Sequence, residues 1–162
     1  MCDSNLRFKK EEVSEKSFPK EYCSWEEVGL LTKIVADKIQ SSNKRYDSIL
    51  GITNGGIIPA RLMALELDVN HIQFIPVRSK KLHKEGMPPL SKYKKYLIVD
   101  EIYDTGNTFS KVFDAVRGFD CDFAFLMRRF KDNNGDGVVA YVGKVLNHNK
   151  WIVFPWERKT VF

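Results

Sequence analysis

Asp100, Glu101 and Asp104 stand directly ahead of Thr105-Gly106-Asn107-Thr108, so three carboxylates precede a short run of hydroxyls and backbone amides. The apolar run Tyr96-Leu97-Ile98-Val99 comes before them, which puts the acids at the carboxyl end of a buried strand. Adjacent carboxylates such as Asp100 and Glu101 accept hydrogen bonds from the two hydroxyls of a ribose, or help to hold a divalent cation. Asp104 lies further along the turn and faces a different part of the same ligand. Thr105 to Thr108 supply consecutive N–H donors and two hydroxyls at a helix N-terminus, which suits a terminal phosphate, and Gly106 permits the close backbone approach. A sugar phosphate needs both kinds of group, and a plain capped turn does not require these residues in this order.

A second loop has the composition to meet a diphosphate. Thr53-Asn54-Gly55-Gly56 ends the apolar run that begins at Ser48, and its glycines let backbone amides come close to an anion. Basic residues are dense from Arg78 to Lys95 (Arg78, Lys80, Lys81, His83, Lys84, Lys92, Lys94, Lys95), on a stretch that also carries Gly86, Pro88 and Pro89. That composition reads as a long, mobile, solvated loop, and its phosphate-handling neighbours turn it toward an anionic ligand.

Strands must bring these loops together. Ser24 precedes Trp25-Glu26-Glu27 as an N-cap with acids in the first turn, and Val28, Leu31, Ile34, Val35 and Ile39 keep helical spacing until Ser41. Ser48 to Thr53 predicts a buried strand, Pro59 to Leu67 a compact helix, and His71 to Val77 another strand. Tyr96 to Val99 is the expected central strand, followed by a helix from Phe109 to Phe119 with Val112, Phe113 and Val116 inward. Asp122 to Met127 and Val138 to Leu146 add two strands. Strands alternating with helices predict a mainly parallel α/β sheet, in which ligands bind beyond the carboxyl ends. Met1 to Tyr22 is charge-rich without a period and reads as an irregular or partly helical arm.

The 162 residues suit one domain with a real core, and 43% hydrophobic with 29% charged residues is ordinary for a globular protein. No apolar run approaches the roughly 20 residues that span a bilayer, and the polar N-terminus shows no secretory signal. Cys2, Cys23 and Cys121 form neither a metal spacing nor a disulfide framework, which favours a reducing cytoplasm. The net charge of +5 serves nucleic acid or a polyanionic small substrate. No arginine-rich, aromatic-interleaved strand points to base readout, so nucleic acid is not expected.

The Tyr96 to Thr108 segment resembles the phosphoribosyl-diphosphate signature of type I phosphoribosyltransferases: a hydrophobic strand, two acids, Thr-Gly, then Thr. Glu101 departs from it, because a second Asp is usual there. The Thr53 to Gly56 turn with the following Ile57-Ile58-Pro59-Ala60-Arg61 is similar to the family's diphosphate loop, with Asn54 where many relatives carry a basic residue. The ending Lys150-Trp151-Ile152-Val153-Phe154-Pro155-Trp156-Glu157 is similar to that of the xanthine–guanine–hypoxanthine branch and its archaeal relatives. The resemblance implies a type I phosphoribosyltransferase fold, with a mainly parallel central sheet flanked by helices and a small C-terminal hood over residues 128–162. It also implies that residues 79–95 close over the reacting centre.

The activity so implied moves the phosphoribosyl group from phosphoribosyl diphosphate to guanine, xanthine or hypoxanthine, giving a purine nucleotide and diphosphate with Mg2+. Asp104 would take the ring proton or steady developing charge, while Asp104, Thr105, Gly106, Asn107 and Thr108 hold the 5-phosphate. Asp100 and Glu101 would hold the ribose, with Glu101 also reaching the metal, and Asn54, Gly55 and Gly56 the diphosphate. Trp151 would stack on the purine, Ile152 would lend backbone groups, and Arg129, with Arg128 as the alternative, would donate to the 6-oxo group. A homodimer or homotetramer is implied. Transfer to adenine or a pyrimidine, or a nucleotide-sensing regulatory protein on the same fold, stays open at this point.

Overall fold

A computed structural model describes residues 19–130 and 140–158. In chain order the elements are β1 (Lys20–Tyr22), α1 (Trp25–Ser41), β2 (Ser48–Ile52), α2 (Ile57–Leu67), β3 (Ile72–Ile75), β4 (Val77–Arg78), β5 (Lys81–Leu82), β6 (Lys95–Tyr103), α3 (Asn107–Ala115), β7 (Asp120–Arg129), β8 (Ala140–Leu146) and β9 (Trp151–Val153). The cap expected at Ser24 is present: its side chain accepts the Glu27 N–H at 3.0 Å. α2 starts two residues before Pro59 and closes on Asp68 in the left-handed region at φ 53°.

Five strands pair in the order β3-β2-β6-β7-β8, all parallel, with β6 in the middle. Helices cover both faces because the strands are apolar on both sides. On one face α1 and α2 pack Val35, Ile39, Ala60 and Met63 on Ile49, Leu97 and Val99. On the other, α3 and the residue just past it set Val112 and Val116 over Leu50, Ile98 and Phe123, and Phe109 meets Phe123 and Phe125 edge-on. The chain leaves β2 toward β3 on one side, while β6, β7 and β8 run away on the other. The reversal lies between β2 and β6, the point where open α/β sheets bind ligands.

Four expectations need correction. The basic stretch is not irregular throughout: β4 and β5 form a hairpin whose turn residues Ser79 and Lys80 both have positive φ (49° and 60°), and a 3-10 turn follows at Lys84–Gly86. Pro76, which lacks an N–H, separates β4 from β3 where one strand was expected. The arm is not irregular to its end either. Lys20–Tyr22 pairs in parallel with Trp151–Val153, so the hood is built from both ends of the chain. α3 stops at Ala115, with Val116 buried just past it and Gly118 at φ 90° ending the turn. The start of the strand expected from Val138, and the arm before Pro19, lie outside the described residues.

The hood rests on its own small core. Cys23, Val28 and Leu31 meet Leu126, Met127, Leu146, Ile152 and Phe154, which joins α1 to the carboxyl ends of β7 and β8. Trp156 stacks on Phe154 at 5.0 Å between ring centres and lies 5.9 Å from Trp25.

Candidate active site

β6 runs on to Tyr103, so Asp100 and Glu101 belong to the strand itself. The two acids are adjacent on the strand and both line one pocket. Asp100 is 9% exposed, and its Oδ1 accepts the Glu101 N–H at 2.9 Å. Burial, and then the Glu101 carboxylate beside it, push the Asp100 carboxyl well above the usual carboxylate range. Glu101 leans over the neighbouring loop, where a β-carbon on Gly55 would collide with its carboxylate. Its Oε2 is buried and has no hydrogen-bond partner among the described residues.

Beyond the strand, Gly106 stands at φ 85° as the residue before α3. Only glycine adopts that conformation at no steric cost, and here a side chain would also strike the Tyr103 hydroxyl, 2.7 Å from the β-carbon position. The first turn of α3 has no acceptor within the helix for its N–H groups, so those of Asn107, Thr108 and Phe109 face the loop. Asp100, Glu101, Asp104, Thr105, Gly106, Asn107 and Thr108 all line one pocket of about 160 Å³. The acids and the Thr105–Thr108 run singled out in the sequence thus line one pocket at the switch point.

The diphosphate loop lies alongside, since β2 pairs with β6. Gly56 donates its N–H to the Ile52 carbonyl at 2.7 Å, and a β-carbon there would stand 2.5 Å from the Val99 carbonyl oxygen. That glycine is structural: it lets α2 start against the sheet. Gly55 keeps its N–H without an acceptor among the described residues. Thr53 ties the loop to the basic hairpin, its Oγ1 accepting the Val77 N–H at 3.2 Å.

Arg129, at the end of β7, is only 10% exposed at its side chain. Its Nε donates to Asp104 Oδ1 at 2.7 Å and its Nη1 to the His148 carbonyl at 2.6 Å. The residue expected to face a base is thus joined to the expected catalytic acid, whose side chain is 41% exposed. Arg128 lies with its guanidinium 4.7 Å over the Tyr103 ring. In the hood Trp151 is 56% exposed, whereas the Ile152 side chain is buried. Trp151 donates its N–H to Pro19 and Val153 accepts from Cys23, so the alternating parallel ladder turns the Ile152 N–H and C=O away from β1.

A family model described as the phosphoribosyl transferase domain matches residues 24–160. The chain belongs to that family. A xanthine-guanine phosphoribosyltransferase of Cereibacter sphaeroides is 26% identical over 155 residues, covering 88% of each chain. Another, from Chromohalobacter salexigens, is 31% identical over 123 residues, 73% of each. Among solved structures, the purine phosphoribosyltransferase of Pyrococcus horikoshii is 30% identical with a TM-score of 0.65, covering 88% of this chain and 97% of that one.

For this phosphoribosyltransferase, three contributors escaped the sequence reading. Tyr103 supports the phosphate loop from below, touching the Gly106 position and packing on Phe109 and Phe125. Glu21 sits opposite Ile152, and its Oε2 lies 2.9 Å from His148 Nε2. His148 is central to these contacts. The run Tyr103-Asp104 signals the first; nothing local signals a pairing between residues 21 and 148.

Proposed function

We propose that this protein transfers the 5-phosphoribosyl group from phosphoribosyl diphosphate to a 6-oxopurine, releasing diphosphate and a purine nucleotide. The observation that carries this reading is the convergence of Asp100, Glu101, Asp104 and Thr105 to Thr108 on one pocket, with Trp151 and the outward backbone of Ile152 in the hood.

The 5-phosphate sits on the amides and hydroxyls of Thr105 to Thr108, far from the reacting carbon. Binding energy gathered there fixes the sugar's orientation. Asp100 and Glu101 accept from the ribose hydroxyls. Gly55 and Asn54 meet the diphosphate, aided by lysines of the β4–β5 hairpin. As the bond from the anomeric carbon to the diphosphate oxygen breaks, the carbon bonds to a purine ring nitrogen. Asp104 takes the proton from the ring or steadies its developing positive charge. Trp151 stacks on the purine and Ile152 offers backbone groups to its exocyclic atoms. Arg129, or Arg128, donates to the 6-oxo group, and Arg129 does so while keeping Asp104.

Magnesium fits the residues present. Glu101 keeps a buried oxygen without a partner, Asp100 adjoins it, and no group of three or more ligating side chains occurs among the described residues. A magnesium ion takes its other oxygens from substrate phosphates and water. When bound it neutralises charge on the leaving diphosphate. A cytoplasmic setting and assembly as a homodimer or homotetramer belong to the same reading.

The test is turnover with phosphoribosyl diphosphate and each of guanine, hypoxanthine, xanthine and adenine. Activity on one or more of the oxopurines is expected; activity with adenine alone sinks the claim.

A further inference from the structure

We propose that Glu21 and His148 are positioning residues that hold the base platform at a set distance from Asp104; the idea rests on the purine-transfer reading above.

The contacts form one chain. Asp104 accepts from Arg129 at 2.7 Å, Arg129 donates onward to the His148 carbonyl at 2.6 Å, and the His148 ring reaches Glu21 at 2.9 Å. Glu21 is paired across the hood ladder with Ile152, next to Trp151. Four segments remote in sequence are thus joined between the reacting acid and the base-facing residues. The Lys150 N–H donates to His148 Nδ1 at 3.2 Å, so Nε2 carries the ring proton and donates it to Glu21. In that tautomer the pair is a directional hydrogen bond, and an amide oxygen would serve as well as a carboxylate.

The platform needs such a tether. β1 and β9 are three residues each, in a two-stranded sheet that is marginal by itself. Trp151 stands half out in solvent, so its own packing does not set its place. The apolar contacts of Ile152 and Phe154 hold the hood to α1 and β7, yet apolar packing is non-directional. The polar chain adds direction. A partly exposed pair like Glu21–His148 contributes little to global stability. A displacement of about 1 Å between base and acid, by contrast, can cost up to a hundredfold in rate. Loss of the tether should therefore appear in base usage and leave the fold intact.

The experiment compares Glu21→Ala, His148→Ala, the double variant and Glu21→Gln with wild type, measuring KM for guanine, KM for phosphoribosyl diphosphate, and Tm. Glu21→Ala and His148→Ala should each raise the guanine KM by about tenfold, with phosphoribosyl-diphosphate KM and Tm little changed. The double variant should lose no more than either single one, as residues of one linkage do. Glu21→Gln should recover most of the guanine affinity. Guanine KM within twofold of wild type in both alanine variants overturns the proposal, as do equal losses on both substrates. A wild type that turns over no purine removes the functional reading and this inference together, whereas an active wild type with indifferent variants removes the inference alone.

Discussion

The two ends of the proposed site, one for the phosphate and one for the base, are built by opposite strategies. The phosphate end comes from consecutive residues: Asp100 to Thr108 spans the end of β6 and the start of α3, and one strand and one helix N-terminus aim every donor and acceptor. The base end is assembled from Glu21, Arg129, His148, Trp151 and Ile152, which meet only because β1 pairs with β9 over the end of β7. A local device tolerates change elsewhere in the chain. An assembled one depends on every segment that it borrows.

Asp104 sits where the two ends meet, so its substitution should have the largest effect. Asp104→Asn keeps the shape and one acceptor for Arg129, and kcat should fall by about two to four powers of ten with phosphoribosyl-diphosphate binding nearly preserved. Rapid-mix turnover and equilibrium titration separate the two. A fall below tenfold would move the chemistry away from this acid.

Trp151→Ala isolates the base end. Stacking of a base on an aromatic ring contributes about 1–3 kcal/mol, so the purine KM should rise by about tenfold or more while the phosphoribosyl-diphosphate KM stays put. Equal losses on both substrates would erase the contrast between the two ends.

Gly56→Ala probes the local end through packing. Its β-carbon would press on backbone atoms of Val99 and Ile52, which cannot step aside. Overpacking of this kind costs about 1–3 kcal/mol, and Tm should drop by about 3–10 °C in a thermal melt. An unchanged melt would mean that the loop is looser than its geometry.

The smallest effect is a pH dependence. Asp100 has its carboxyl raised by burial and by Glu101, so its cost to the fold is absent below the usual carboxylate range. The cost grows as pH rises from that range toward the raised value, and is complete above it. Asp100→Asn removes this term. The Tm of the variant minus that of wild type should increase across that interval, and a flat difference would contradict the burial argument.

Legibility in the sequence followed the same division. The α1 cap, the β2 and β6 strands and the whole phosphate loop could be placed because each depends on neighbours within a few residues. The glycines at 55 and 56 were readable as a pair, while their split roles were not. One faces the Glu101 carboxylate from an adjacent strand and the other lies against Val99, contacts that spacing along the chain does not express. His148 could not be linked to the site along the chain because its partners are residues 129 and 21. The hairpin turn at Ser79–Lys80 was hidden for another reason: neither residue is a glycine, so the usual sign of positive φ was missing.

Composition and local pattern by themselves determined that strands alternate with helices, that an acid-rich strand end leads into an amide-rich helix start, and that a sugar phosphate is the ligand such a turn suits. Those properties rest on the backbone periods of strand and helix and on hydrogen-bonding groups a few residues apart. Only the folded chain decided that Glu101 lies against Gly55, that Arg129 grips Asp104, and that the amino-terminal strand completes the hood. Each of these is a contact between segments distant in sequence, selected by the burial of apolar strands and by the pairing of charged groups near the surface of the core.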